Sequence, residues 1–356
     1  MMYQINGIQQ VGLGVTDAVA AYNWYSKHLG FNILVFDDVA QATLMTQYTG
    51  NQVVTRRALL AMNLQGGGGI EIWQKLTTVP LQKDTPIHVG DLGINAIKIR
   101  CYNVDAYYQY CIQHEIQLLT KVIINQTEKK HFYIHDLYGN VLEIIEDMYQ
   151  YMPIRHQLTG GVMGVVIGVS NMQLALPFYK NMLGYTITTS EEHNMQLNVA
   201  GYTSGITHVH SVLLTKEEAC TGPFGALLAP SVIELVQVLQ GVPATIYAHR
   251  HWGDCGYIHV CFDVSGMQQF ITHCNVHKHA FTVNSINGFD MGKASGHFGY
   301  NQDLDGTLIE YVETHKVPLA KKWGIYYTIK QQKKLQNLPK WLVKLFVLAR
   351  VKVLKK

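Results

Sequence analysis

Apolar residues along this chain alternate between strand-like runs and stretches with helical spacing. The β-branched run at 11–15 is followed by Thr16 and Asp17, whose side chains are good helix N-caps. Apolar residues then recur three and four positions apart over 20–29, which indicates an amphipathic helix, and Gly30 suits its C-terminal end. Further apolar stretches of strand length follow at 33–36, 58–64 and 70–73. The pattern predicts one strand, one helix and then three strands.

This pattern occurs four times along the chain. Residues 165–184 align with 11–30 without a gap, and residues 300–312 align in the same way with 133–145. The two kinds of phrase alternate, which indicates a tandem duplication of a unit of about 150 residues, itself made of two related halves. The predicted modules run over 5–76, 92–148, 160–240 and 255–314.

The repeat predicts an α+β protein built from four βαβββ modules in two domains. We expect the first domain at 1–150 and the second at 158–318, with a linker near 149–159 in which Pro153 ends regular structure. A tail at 319–356 lies outside the repeat. A length of 356 residues suits two domains of ordinary size, each able to bury a core.

The basic charge of the chain is concentrated in the tail. Residues 321–356 contain ten Lys, one Arg and no acid, whereas the rest of the chain has 17 basic and 25 acidic residues. The overall net charge of +3 therefore hides an acidic main body, which argues against binding of nucleic acid through the whole surface. Residues 337–356 have the pattern of a basic amphipathic helix with Trp341, Leu345 and Leu348 on its apolar face. We expect that face to pack on the fold or on a homodimer partner, or to contact an anionic membrane surface.

The sequence favours a cytoplasmic protein. No apolar run approaches the roughly eighteen residues of a membrane span, and the N-terminal residues lack the pattern of an export signal. The six cysteines form neither a CxxC pair nor a dense framework, which favours reduced and buried thiols.

The repeated phrases resemble the vicinal oxygen chelate superfamily. The resemblance lies in the strand–turn–helix phrases that end in Leu-Gly and in the D-x-x-G-x-x-x-E phrases at 136–143 and 303–310. This superfamily includes glyoxalase I, extradiol dioxygenases and bleomycin- or fosfomycin-resistance proteins. The resemblance covers residues 1–315 and implies that paired modules form a cup that holds a divalent metal.

In that superfamily the metal ligands come from the first and last strands of the modules. The last-strand position carries glutamate in all four modules: Glu71, Glu143, Glu234 and Glu310. The first-strand position, five residues before the end of the strand, carries in turn Gln10, Ala96, Gly164 and His259. An ionised carboxylate between apolar neighbours is costly to bury without a metal or a partner charge, unless the strand turns it towards solvent.

Two pairings of the modules remain open. If neighbouring modules pair, each cup lacks one ligand, and the two sets are Gln10/Glu71/Glu143 and Glu234/His259/Glu310. If instead the first module pairs with the fourth and the second with the third, one cup is complete and the other is left with two glutamates.

The complete set of the crossed pairing is Gln10, Glu71, His259 and Glu310. It resembles the ligand set of glyoxalase I, which consists of a Gln or His, two Glu and one His. We favour the crossed pairing because it leaves one intact site where neighbour pairing leaves two damaged ones. Three oxygen donors and one imidazole suit Zn, Ni, Mn, Co or Fe(II), with positions open for substrate oxygens.

The resemblance implies a metal-dependent enzyme acting on a small substrate that chelates the metal through vicinal oxygens. Lyase or isomerase chemistry is favoured, with Glu310 and Glu71 as catalytic residues. The first alternative is an extradiol-type ring-cleaving dioxygenase, whose iron is held by two His and one carboxylate; Gly164 at one of those His positions disfavours it. The second alternative is a non-catalytic protein that binds a small molecule, as resistance proteins of this superfamily do.

Overall fold

The computed structural model of the protein describes residues 3–83, 85–217, 220–285, 289–290, 295–320, 325–329 and 335–355. The first module comprises β1 (Gln4–Gly14), α1 (Ala18–Leu29), β2 (Ile33–Gln41), β3 (Thr55–Met62) and β4 (Gly69–Lys75). The second module comprises β5 (Gly93–Cys101), α2 (Val104–Gln113), β6 (Ile123–Ile124), β7 (Lys130–His135) and β8 (Val141–Glu146). Both follow the predicted order of one strand, one helix and three strands.

The third and fourth modules follow the same order with additions. The third comprises β9 (Thr159–Gly168), α3 (Met172–Pro177), β10 (Ile187–Leu197), β11 (Thr207–Thr215), the short helix α4 (Gly225–Leu228) and β12 (Val232–Val238). The fourth comprises β13 (Gly256–Ser265), α5 (Met267–Val276), β14 (Val283–Asn284), β15 (Phe289–Asp290), β16 (Ser295–Gln302) and β17 (Leu308–Ala320). After it come β18 (Ile325–Thr328) and α6 (Lys340–Lys344).

The helix caps predicted from the sequence are present in the structure. The Asp17 carboxylate accepts hydrogen bonds from the backbone N–H groups of Val19 and Ala20 at 3.0 and 2.9 Å and caps α1. Asn171 caps α3 by accepting from Leu174 N at 3.1 Å. α1 ends at Gly30, whose φ of 74° is a left-handed conformation that glycine adopts without strain.

The strands form two curled sheets, and each sheet joins modules from opposite halves of the chain. The order in the first sheet is β2-β3-β4-β1-β13-β17-β16-β14, with β15 and β18 attached to β16 and β17. The order in the second sheet is β10-β11-β12-β9-β5-β8-β7-β6. β1 pairs antiparallel with β13, and β5 pairs antiparallel with β9. The first module is therefore paired with the fourth and the second with the third, which is the crossed arrangement.

Strand alternation separates a core-facing side of each sheet from a cup-facing side. Val11 and Leu13 on β1 are fully buried in the main core, where they belong to the same cluster as Tyr25 of α1. Because successive residues on a strand face opposite sides, Gln10 and Gly12 face the hollow of the first sheet. We call this hollow the first cup and the corresponding hollow of the second sheet the second cup.

The aspartates of the D-x-x-G phrases tie neighbouring modules together. Asp136 and Asp303 each accept two backbone N–H groups of their own turn, which fixes the hairpin before the last strand. The Tyr25 hydroxyl on α1 donates to Asp136 at 2.8 Å, and the Tyr179 hydroxyl donates to Asp303 at 2.6 Å. The first module thus contacts the second through its helical segment, and the third contacts the fourth in the same way, although the two modules of each pair belong to different sheets.

The tail contains a helix as predicted, but this helix is much shorter than the predicted range of 337–356. α6 is followed by a 3-10 turn at Leu345–Ala349, which ends at Arg350 with an extended backbone, and Lys356 lies outside the described residues. Val351 N donates to Asn32 O at 2.8 Å, and the Tyr22 hydroxyl donates to Val351 O at 2.7 Å. The end of the chain therefore finds its hydrogen-bond partners on the first module, which a continuing helix would not allow. β-branched Val351 also lowers the local preference for helix.

The predicted apolar face of the tail is only partly buried in this chain, through Leu345, which packs against the cluster that contains Leu342. Trp341 and Leu348 are 65% and 61% exposed, whereas Leu342 and Val343 are buried. Leu342 and Val343 of the short helix belong to the same apolar cluster as Leu338. Burial of Trp341 in a homodimer or at a membrane surface stays a prediction. None of the described helices is long and apolar enough to cross a membrane, and all six cysteines are free thiols.

Candidate metal centre

The strand register brings the candidate ligands of the first cup together. Gly12 on β1 lies opposite Glu71 on β4 and opposite His259 on β13. Cys261, two residues beyond His259, lies opposite Glu310 on β17. Because these strands are adjacent and their cup-facing residues alternate, the side chains from all four strands converge on one point.

The donor atoms of the four residues lie within contact of one another. His259 Nε2 is 3.1 Å from Glu310 Oε2 and 3.3 Å from Glu71 Oε2. Gln10 Nε2 is 3.0 Å from Glu71 Oε2 and 3.5 Å from Glu310 Oε2. All four side chains are buried, and the two carboxylates and the imidazole offer atoms within 4.8 Å of one another. We call these four residues the Gln-Glu-His-Glu cluster.

The cluster contains polar atoms that the described part of the protein leaves unsatisfied. Neither ring nitrogen of His259 has hydrogen-bond geometry with a partner among the described residues, and the same holds for Gln10 Oε1. Such buried, unpaired polar atoms cost free energy and are rare in native proteins. Rotation of the Gln10 amide exchanges its oxygen and nitrogen, so that the oxygen can face the carboxylates. Two carboxylates, one imidazole and one amide oxygen form a donor set that fits a divalent transition metal.

The negative charges of the two carboxylates in the cluster also favour a bound cation. Burial alone would lower the pKa of His259, but the charges of Glu310 and Glu71 outweigh it and raise this pKa to about 9. Two ionised carboxylates in a buried site need a compensating positive charge. A proton on the imidazole supplies one such charge, and a divalent ion in contact with the same atoms would supply two.

Gly12 makes room for the imidazole at the centre of the cluster. A Cβ atom added to Gly12 would lie 2.6 Å from His259 Nε2, well inside contact distance. The sequence contains no signal for this role other than a glycine within a β-branched run, a position at which glycine often marks a close approach.

We expect Gly12→Ala to weaken metal binding by at least about tenfold, or about 1.4 kcal/mol, because the ring must move away from the carboxylates. Titration calorimetry with Mn²⁺ measures the effect. The matched control is Gly164→Ala, which meets Val232 O at 2.6 Å on the second sheet and should leave the metal affinity unchanged. Equal losses in both variants would contradict a specific role of Gly12.

The cluster forms the polar floor of a large cavity. The cavity has a volume of about 600 Å³, within the usual range for small-molecule sites. Its walls are largely apolar and include Phe36, Leu60, Met62, Trp73, Leu227, Trp252, Phe298 and Phe346. Glu71 and Glu310 line the cavity, whereas His259 lies behind them and is fully buried. A bound molecule would therefore meet the carboxylates first.

One cation stands at the edge of this cavity. The Arg56 guanidinium pairs with Asp38 at 2.9 Å and lies 4.9 Å from the centre of the Trp73 ring. Its Nε atom has no hydrogen-bond partner within the described ranges. Arg56 therefore offers a cationic anchor on a largely apolar wall.

Solved structures with the same architecture place the protein in a known fold. No protein-family model matches the sequence, and no curated protein matches it. A putative dioxygenase from Bacillus subtilis superposes with a TM-score of 0.55 at 13% identity, over 87% of this chain and 86% of that chain. A variant of glyoxalase I from Zea mays superposes with a TM-score of 0.51 at 13% identity, over 88% of this chain and 92% of that chain. The chain has the vicinal oxygen chelate fold.

The resemblance drawn from the repeated phrases is thus confirmed at the level of fold. The second cup of this vicinal oxygen chelate fold is built differently from the first. Glu143 and Glu234 lie on its floor, and the Lys98 ammonium forms ion pairs with both, at 2.7 Å from Glu234 Oε2. His131 Nδ1 lies 2.7 Å from Glu143 Oε1, and Ser211 donates to Glu234 at 2.8 Å. Both carboxylates are therefore already paired with groups of the chain itself.

The alternative ligand set of Glu234, His259 and Glu310 is not brought together. Glu234 lies on β12 of the second sheet, whereas the other two residues lie on the first sheet. Lys98 is not among the site residues predicted from the sequence, although it stands between Ile97 and Ile99 in an apolar run. A lysine in a predicted buried strand was the available signal, since a buried lysine requires a carboxylate partner.

A second group of possible metal ligands lies on the surface of the second sheet. Glu191 Oε1 is 2.9 Å from His210 Nε2 and 3.7 Å from His193 Nε2. Glu191 and His193 are exposed, and exposed groups of this kind need no metal to be satisfied. This group is therefore not a candidate for the functional site.

Proposed function

We propose that this protein is a metal-dependent enzyme that transfers a proton between neighbouring carbons of a small substrate with two adjacent oxygens. This is lyase or isomerase chemistry. The observation that supports it most is the Gln-Glu-His-Glu cluster, which is buried, has unpaired donor atoms and forms the floor of an open cavity.

The four cluster residues would hold the metal, which could be Zn, Ni, Mn, Co or Fe(II). When bound, it would supply a Lewis acid that polarises a substrate carbonyl and makes the adjacent C–H bond more acidic. His259 and Gln10 hold the two carboxylates in position from behind and from the side.

Glu71 and Glu310 are the groups that can move the proton. Both carboxylates line the cavity, where a substrate would bind, whereas His259 is not part of the lining. One carboxylate removes a proton from the carbon that bears the hydroxyl group and delivers it to the neighbouring carbonyl carbon, while the hydroxyl proton passes to the former carbonyl oxygen. The reaction therefore needs neither oxidant nor reductant.

Tyr300 lies close to these carboxylates and carries a hydroxyl group that stays protonated. It lines the same cavity, and its ring centre lies 5.5 Å from that of His259. Burial, and then the charges of Glu310 and Glu71, raise the pKa of its phenol well above 10. Tyr300 therefore keeps its proton at neutral pH and does not act as a base.

We expect the metal-loaded protein to exchange the CH₂ protons of 2-hydroxyacetophenone with D₂O, and Glu310→Gln to slow this exchange about 100-fold or more. This probe combines two adjacent oxygens with an aromatic ring that suits the apolar walls. Glutamine keeps an oxygen that can bind a metal but cannot accept the proton, so metal content should persist. Proton NMR measures the exchange, and metal analysis of the same sample measures occupancy.

The control for this experiment is Glu191→Gln, the same change at an exposed carboxylate on the second sheet, which should exchange at the wild-type rate. Full exchange by Glu310→Gln would rule out this residue as the base. A protein that binds no divalent metal would overturn the proposal as a whole and favour a non-catalytic binding protein with an apolar cavity.

Ring cleavage by oxygen-activating iron is the weaker alternative. In this superfamily such iron is held by two His and one carboxylate. Within the described residues, His259 is the one imidazole of the cluster. Uptake of oxygen in the presence of a catechol and Fe(II) would nevertheless distinguish this alternative from proton transfer.

A further inference from the structure

The second cup is a cavity in its own right, separate from the proposed metal centre. Its volume is about 330 Å³, which lies at the small end of the range for ligand sites. Lys98, Glu143 and Glu234 form its floor, and Tyr133 and Tyr202 stand on its wall with ring centres 5.4 Å apart. Nothing in the proposed reaction uses these groups.

Lys98 occupies the position that corresponds to Cys261 in the first cup. Lys98 on β5 lies opposite Glu143 on β8, just as Cys261 on β13 lies opposite Glu310 on β17. Its ammonium reaches between Glu143 and Glu234. A fixed positive charge of the chain thus stands between the two glutamates. In the first cup, a metal would have to supply the corresponding positive charge.

Two hydrogen-bond donors in this cup lack an acceptor. An ammonium has three N–H groups, and the two carboxylates account for two of them. The third N–H of Lys98 has no acceptor in the described parts of the chain. Tyr202 is 2% exposed, and its hydroxyl also has no hydrogen-bond partner there. Because burying an unpaired donor is costly, an oxygen acceptor is missing from this site.

The charge of the cup selects against anions. Two ammonium groups, of Lys98 and Lys129, and three carboxylates, of Glu143, Glu192 and Glu234, line the cup and leave an excess of one negative charge. Tyr202 lies close enough to Glu143 and Glu234 for their charges to act on it. The wall above the floor has an apolar part, formed by Ile145, Met163, Val166 and Leu213, and a polar part that includes Gln126 and Ser190. The missing acceptor is therefore an uncharged oxygen on a molecule with an apolar body.

We propose that the second cup binds a small uncharged carbonyl compound, whose oxygen accepts from the Lys98 ammonium and the Tyr202 hydroxyl without any metal. The site is independent of the proposed metal centre, because it shares neither residues nor sheet with the Gln-Glu-His-Glu cluster.

The test uses 4-fluoroacetophenone as the probe and the full chain as purified, with and without EDTA. Titration followed by ¹⁹F NMR should detect binding that EDTA does not change. Tyr202→Phe should weaken this binding about fivefold to tenfold, because it removes one hydrogen bond and keeps the ring. Tyr300→Phe, the same change in the first cup, is the matched control and should leave it unchanged.

Two further measurements distinguish a specific site from general apolar binding. 4-Fluorobenzoate has the same ring but a negative charge, and it should bind at least about tenfold more weakly. Leu213→Trp should fill the cup and abolish binding of the ketone, while circular dichroism confirms that the variant is folded. Failure of the ketone to bind, a loss caused by Tyr300→Phe instead of Tyr202→Phe, or equal binding of ketone and benzoate would each overturn the proposal.

Discussion

Replacing His259 by alanine is expected to abolish binding of a divalent metal, with a loss in affinity of at least about 100-fold. His259 supplies the one nitrogen donor of the cluster, and its Nε2 lies within 3.3 Å of both Glu71 and Glu310. Changes to groups that merely support metal ligands already cost 10-fold to 100-fold, so the loss of a ligand should cost more. Titration calorimetry and metal analysis after dialysis measure the effect.

The comparison variants decide which residues form the site. Gln10→Ala should also weaken binding, because the amide is part of the same cluster. Glu143→Ala and Glu234→Ala should leave the metal affinity unchanged, since both residues lie in the second cup. If Glu234→Ala were as damaging as His259→Ala while Gln10→Ala were harmless, the metal would lie in a site formed by neighbouring modules instead.

Replacing Lys98 by methionine should lower the free energy of unfolding by about 3–5 kcal/mol at neutral pH. Lys98 is 3% exposed and pairs with both Glu143 and Glu234. Methionine fills a similar volume but leaves two buried carboxylates without their cation. A loss of this size is a large part of the 5–15 kcal/mol that typically stabilises a domain. Urea unfolding followed by circular dichroism measures it.

The effect of Lys98→Met should shrink as the pH falls. Burial raises the pKa of Glu143, but Lys98 and His131 outweigh it and lower this pKa to about 2, below the value of about 4.3 for an unfolded chain. In the wild type the stabilisation from Glu143 is therefore complete above about pH 5 and is lost as the pH falls towards 2. Without Lys98, burial should raise the pKa of Glu143. Protonation of Glu143 at low pH would then remove its buried charge and reduce the loss of stability in the variant.

The control for this prediction is Lys129→Met. Lys129 is 39% exposed and lies 3.9 Å from Asp147, and exposed pairs of this kind contribute less than about 1 kcal/mol. Equal stability of Lys98→Met and the wild type at neutral pH, or a deficit that grows on acidification, would contradict the role assigned to Lys98.

The two cups meet the same electrostatic demand in different ways. In each, two glutamates from the last strands of paired modules face each other across the floor. The first cup contains an imidazole and an amide. The ring nitrogens of His259 and the amide oxygen of Gln10 have no hydrogen-bond partner among the described residues and can serve as metal ligands. The second cup places a lysine between the carboxylates, which satisfies them from within the chain. One metal ion per chain is the expected stoichiometry.

The sequence by itself determined the modules and the positions of the candidate ligands. Strand alternation, helix spacing and caps such as Asp17 are local signals, and the repeat multiplies each of them fourfold. The glutamates Glu71 and Glu310 and the first-strand residues Gln10 and His259 could be named because they recur at fixed distances from those signals.

Only the tertiary structure decided which modules share a sheet. The edge of β1 that pairs with β13 presents the same backbone groups that any other strand could meet, so no local pattern selects the partner. Gly12 and Lys98 acquire their roles only through this pairing, one by admitting the ring of His259 and the other by reaching Glu234. The end of the tail likewise follows from partners on the first module, such as Tyr22, which lie more than three hundred residues away in sequence. Contacts over such separations depend on packing of the whole chain, and a periodicity read over ten or twenty residues does not contain them.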